Sequence, residues 1–176
     1  VEASGRPMVF TCNQRHDGRG TFWKDLMTYA REARDDGHIL RPVVAPRPIG
    51  VMLGLNGSQN PFSGTSTYRS IEHLPLDQRV EAMSQPDIRA KILSEDPVKQ
   101  STFPLIHRIL FTQMFRLGSP ANYTPSPEES ISAMAQNAGV TPQEMAYDIL
   151  LENQGREFIY APLVNYANYT MDACAE

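Results

Sequence analysis

Two polar clusters hold most of the chemistry this sequence could perform, and each follows directly on an apolar run. The first is Cys12-Asn13-Gln14-Arg15-His16-Asp17, behind Met8-Val9-Phe10-Thr11. The second is Pro46-Arg47-Pro48, behind Ile39–Ala45. Arg47 sets a planar guanidinium between two prolines, an arrangement suited to two-pronged capture of a carboxylate. Its plain alternative is a structural salt bridge or a cap on a backbone carbonyl. Asn13 and Gln14 bring amides that can orient a substrate, and His16 with Asp17 could ligate a metal. Polar loops after strands carry such residues routinely, so a solvated loop stands beside that reading. Cys12 has no histidine at a useful spacing and reads as a small buried hydrophobe rather than a nucleophile.

Other chemistry is poorly supported. His73 and His107 fall on expected short helices without a second ligand three or four residues away. The sequence contains no HExxH, no CxxC, no P-loop and no G-x-S-x-G.

The elements that must position these clusters follow from periodicity. Met8–Cys12 reads as a buried strand. Thr21 is placed to cap a helix to about Asp36, with Phe22, Leu26, Tyr29, Ala30 and Ala33 on one face, and Gly37 is placed to end it. Ile39–Ala45 is a second strand. Strand, helix and strand within about 40 residues make a βαβ unit with parallel strands. Working residues in such folds lie at the carboxyl ends of the strands. Both polar clusters are therefore expected on one rim.

Beyond Pro48 the character changes. Ile49 to Thr67 is rich in Gly, Ser and Asn and reads as irregular. Short proline-punctuated helices are expected over Thr67–His73, Leu76–Met83, Pro86–Ser94 and Pro104–Phe111. Ser126-Pro127-Glu128-Glu129 and Thr141-Pro142-Gln143-Glu144 each give a hydroxyl cap, a proline at the first helical position and an early glutamate. Gly139 and Gly155 are the expected terminators. Glu157–Pro162 is a third strand, and a last helix starts at Thr170. Strands mixed with many helices make the class α/β.

Bulk properties exclude some function classes. The 176 residues carry a formal charge of -4 with 41% apolar and 20% charged residues. A mild acidic excess gives no reason to expect nucleic acid or an anionic membrane. The longest apolar stretches, such as Ile49–Leu55, fall far short of a bilayer span. Two cysteines, Cys12 and Cys174, make no disulfide framework, so reduced thiols in a cytoplasmic protein are the expectation. The chain opens on Val1 close to a strand and closes at Glu176 within an expected helix. We therefore expect a segment from inside a longer protein.

Read as phrases, the sequence resembles the N-acyl-D-amino-acid deacylase (D-aminoacylase) branch of the amidohydrolase superfamily. The phrases are Arg41-Pro42-Val43-Val44-Ala45-Pro46-Arg47-Pro48-Ile49-Gly50, Leu53-Gly54-Leu55 and Asn60-Pro61-Phe62. They continue with Tyr68-Arg69, His73-Leu74-Pro75-Leu76, Pro86–Leu93, Met114–Gly118, Ala146–Leu151 and Pro162–Ala167. Their order and density over nearly the whole chain carry the resemblance.

The resemblance implies part of a TIM-type barrel, with Met8–Cys12 about the sixth strand and Ile39–Ala45 about the seventh. It implies a βαβ barrel segment over 1–48, an irregular and largely helical insertion over 49–156, and a strand and helix over 157–176 leading back to the barrel. The implied activity is hydrolysis of the amide of N-acyl-D-amino acids at a site of one or two zinc ions, with N-acyl-D-glutamate, D-aspartate and neutral D-residues all compatible. Most metal ligands would lie upstream of Val1 and the catalytic Asp beyond Glu176, so this chain alone would be inactive and bind no zinc. At the family's strand-six histidine ligand this chain has Cys12 or Asn13. Arg47 lies near a substrate-contacting position and is carried over as a substrate-carboxylate ligand. The expected partners are a small N-acyl amino acid and further copies of the chain. Two readings of other classes stand beside this one: a small-carboxylate binding module, and a structural or interaction segment.

Overall fold

The computed structural model describes residues 2–15, 21–97 and 111–176. They are mixed α/β with two small sheets and no closed barrel. The chain divides into two compact units, Val1–Gly50 with Pro162–Glu176, and Val51–Ala161.

The first unit contains the expected βαβ. Strand β1 (Met8–Thr11), helix α1 (Phe22–Asp35) and strand β2 (Leu40–Val43) follow one another, and the strands pair in parallel with Met8 opposite Leu40 and Thr11 opposite Val43. The amides of Met8 and Cys12 donate to Ile39 O and Val43 O, both at 2.9 Å. The odd-numbered residues of β2 thus face β1. Pro42, which has no N–H, falls on the other side and removes no bond from this ladder. Helix α1 ends as the sequence predicts: Gly37 adopts φ +84°, and the amides of Gly37 and His38 return to Arg34 O and Ala33 O.

Three expectations for this unit are corrected. Thr21 precedes α1 but its hydroxyl makes no capping bond. The inward stripe of α1 is Trp23, Leu26, Met27, Ala30 and Ala33, whereas Phe22 and Tyr29 are exposed. Both sets fit a spacing of three and four; each residue turns the helix by about 100°, and Phe22 and Tyr29 sit to one side of a stripe centred on Ala30. Finally, β1 is not a buried strand. Met8 and Val9 are 50% and 63% exposed, and Val43 in β2 is 52% exposed, because among the described residues of this unit α1 is the only helix of more than one turn available to cover the pair.

The second unit holds the larger core. Ile49–Thr67, expected to be irregular, opens with strand β3 (Ile49–Gly54). The strand's own Ile-Gly-Val-Met-Leu-Gly is mostly apolar, and the irregular part of the stretch is the segment beyond it with Gly57, Ser58, Ser63 and Gly64. Helices α2 (Ser66–Ile71), α3 (Leu76–Met83) and α4 (Pro86–Ser94) match expectation closely. The expected helix Pro104–Phe111 lies outside the described residues except for Phe111, which opens a 3-10 turn. Strand β4 (Phe115–Arg116), helix α5 (Ile131–Ala138), helix α6 (Pro142–Gly155) and strand β5 (Phe158–Val164) follow. β5 lies between β3 and β4, antiparallel to β4 with Phe115 opposite Tyr160. Its run Ile159-Tyr160-Ala161-Pro162 is buried throughout, as a central strand covered on both faces must be.

The two serine and threonine signals resolve differently. Thr141 closes a capping box with Glu144 at the start of α6. Ser126 closes one with Glu129 around a 3-10 turn only, and Ser130 caps α5 by accepting from the Ala133 amide. Helix α6 leaves helical geometry at Glu152 (ψ 158°), before the expected terminator Gly155. Leu53, Leu55, Met83, Ile92, Ile131, Tyr147, Ile149, Leu150 and Ile159 pack as one cluster. Met83 O, an orphan carbonyl in the last turn of α3, accepts from the Tyr147 hydroxyl at 2.8 Å. Helix α7 (Asp172–Ala175), in the first unit, is shorter than expected. Thr170 lies just before it and accepts from the Asp172 amide. No helix among the described residues is long and apolar enough to cross a membrane.

Candidate functional site

The first unit brings three chain segments together: Cys12–Arg15 after β1, Ala45–Arg47 after β2, and Asn165–Ala167, which follow the carboxyl end of β5 and belong to this unit. The link between them is Asn165, whose surface is entirely buried. Its amide N–H donates to Gln14 O at 2.8 Å, and the Gln14 amide returns a bond to Asn165 Oδ1 at 3.0 Å. Asn165 Nδ2 then faces three acceptors, Ala45 O at 3.2 Å, Asn13 Oδ1 at 3.4 Å and Arg47 O at 3.5 Å. Gln14 is buried too, and its Oε1 accepts from the Ala167 amide at 3.2 Å. An isolated bridge of Arg15 with Val164 extends the same contact. Buried polar groups need partners, and this network supplies them from three separate loops.

The backbone of Asn165–Tyr169 is unusual. Asn165 and Asn168 have φ of +64° and Tyr169 of +58°. Asparagine visits the left-handed region readily, but a bulky aromatic there costs free energy that surrounding structure must offset. Such departures gather at sites whose shape is fixed by their surroundings.

The residues singled out from sequence occupy this edge. Gln14 and Asn13 are members of the Asn165 network, Asn13 half-buried with its Oδ1 accepting. That leaves the Asn13 NH2 group to donate, engaged by no described residue. The Arg47 side chain is exposed, its own carbonyl at the margin of the network, and no ion pair with a described residue occupies its guanidinium. His16 and Asp17 lie outside the described residues.

Cys12 is buried, and its Sγ is 3.7 Å from Trp23 O. It lines a cavity of about 130 Å³ with Trp23, Met27, Val44 and Cys174. Burial pushes both the Cys12 and Cys174 thiols up from the ordinary thiol value, so they are neutral at pH 7. A zinc site takes three or four donors, with cysteine bound as thiolate. Among the described residues no group of three or more His, Cys, Asp or Glu stands close enough to hold an ion. The groups this edge leaves to solvent are donors, the Arg47 guanidinium and the Asn13 NH2 group.

Sequence reasoning missed Asn165, the residue that joins the three segments. The only signal was weak: one asparagine, Asn165, directly after an apolar strand. Comparison with protein-family models, with curated proteins and with solved structures returned no match.

Proposed function

We propose that this chain serves in a metal-dependent amidohydrolase acting on N-acyl-D-amino acids, where it supplies the substrate-binding edge rather than the metal ligands. In this reading β1 and β2 correspond to about the sixth and seventh strands of a TIM-type barrel. Arg47 takes the substrate carboxylate through paired N–H groups, and the Asn13 NH2 group donates to a carbonyl of the bound molecule. The observation that carries the reading is the convergence of three strand ends on Asn165 with a guanidinium exposed beside them. The ordered phrases that resemble the deacylase branch supply the reaction class.

The test is steady-state deacylation of N-acetyl-D-amino acids by the full-length protein supplied with zinc. An Arg47→Ala variant should raise KM at least tenfold, roughly the loss of a charge-assisted pair, with a smaller change in kcat. An unchanged KM would remove Arg47 from the substrate. Saturable binding of these compounds without hydrolysis would instead leave a carboxylate-binding module.

A further inference from the structure

We infer that Asn165 is a positioning residue that holds Arg47 and Asn13 in substrate-binding register. The inference rests on the reading of Arg47 and Asn13 as substrate ligands given above. The loops that carry them come from different strands, and short polar loops of this kind otherwise move independently. One buried amide meets both. Its Oδ1 and backbone N–H fix the loop after β1 through Gln14. Its Nδ2 faces the Asn13 side chain and the carbonyls of Ala45 and Arg47 after β2. The acceptor half of the amide therefore secures the first loop, while the donor half sets the second against it. Position 165 also needs a residue at ease with φ +64°, which narrows it to asparagine, aspartate or glycine for backbone reasons alone. Of these, asparagine is the one that both accepts from Gln14 and donates to the β2 loop.

Two substitutions separate the halves while respecting the backbone. Asn165→Asp keeps the acceptor and removes the donor; Asn165→Gly removes both and relieves rather than adds strain. Each is examined in the full-length zinc-supplemented protein, by kinetics on N-acetyl-D-amino acids and by amide hydrogen exchange. The expected result is a KM raised about tenfold in both variants, with kcat within about threefold of the parent. Exchange at the Gln14 amide should stay slow in Asn165→Asp and quicken at least tenfold in Asn165→Gly, with α1 amides unchanged in both. A purely structural role would lower the active fraction, so kcat would fall and KM would hold; that outcome overturns the inference. So does slow exchange at Gln14 in Asn165→Gly. If the parent protein hydrolyses none of these substrates, the functional reading fails on its own. The exchange pattern then still decides whether Asn165 secures the loop after β1.

Discussion

Tyr147 shows how one side chain can serve two elements at once. Its ring is fully buried in the core of the second unit, edge-on to Phe62, and its hydroxyl closes the last turn of α3 at Met83 O. Burial pushes its phenol up to about 12, so it stays a donor across the physiological range. Tyr147→Phe should cost about 1 kcal/mol in chemical denaturation, because Met83 O is left buried without a donor; a change within error would mean that water replaces the hydroxyl. Glu95 is a second single-residue case. The Thr67 hydroxyl and amide bond its carboxylate and hold it below the usual carboxylate value of 4.5. A lowered folded value stabilises above the unfolded pKa, and that contribution is lost as pH falls through the folded one. The wild type should therefore lose its advantage over Glu95→Gln below about pH 4.5, a crossover visible in melting temperatures taken down to about pH 3. Melting curves that stay parallel at all pH values would refute it. At this scale the sequence was partly legible. Arg47, Asn13 and Gln14 stood out because polar residues after an apolar run mark a strand end. Asn165 did not, because its importance lies in three loops that are near in space and distant in sequence.

Among the elements, helices were read best where local chemistry alone decides them. Leu76–Met83 and Pro86–Ser94 run between the residues that proline and capping rules indicated. Strands are less legible, since pairing is not local: β3 opens a stretch whose glycines and serines point to irregular structure, and the two residues of β4 give no pattern at all. The stripe of α1 was displaced to one flank because Trp23 and Met27 compete with Phe22 and Tyr29 at similar spacing. Helix ends give a test of how backbone and packing divide. Gly139 and Gly155 both have positive φ, +70° and +77°. A Cβ at Gly139 meets open space, whereas one at Gly155 would stand 2.6 Å from Val80 Cγ2 and 3.1 Å from Leu76 Cδ1. Gly139→Ala should cost about 1 kcal/mol from backbone strain, and Gly155→Ala about 2–3 kcal/mol from strain with overpacking. Equal losses in urea denaturation would show that α3 yields freely to the added methyl.

On the scale of the whole molecule, the two units differ in how well they cover their own apolar surface. The second encloses a contiguous core. The first leaves Met8, Val9 and Val43 exposed on a two-stranded parallel sheet, with Ile39 and Val44 exposed beside it, an architecture that ordinarily has both faces covered. Exposed apolar strand pairs also invite edge pairing. The chain by itself should self-associate, with a scattering mass that rises with concentration; a monodisperse monomer with one sharp cooperative melt would contradict this. Mixed α/β character was legible from the alternation of strands and helices. So was the small number of strands; their division into two separate sheets was not, because the sequence does not record which strands pair.

We propose that this strand-end edge serves amide hydrolysis of N-acyl-D-amino acids. The most direct measurement is release of free amino acid from N-acetyl-D-amino acids and from their L-enantiomers by the full-length protein, with zinc and after chelation. The expected result is turnover of D-substrates that chelation abolishes and zinc restores, with little turnover of the L-forms. Absence of hydrolysis from every D-substrate in the presence of zinc, or a rate that chelation leaves unchanged, would contradict it.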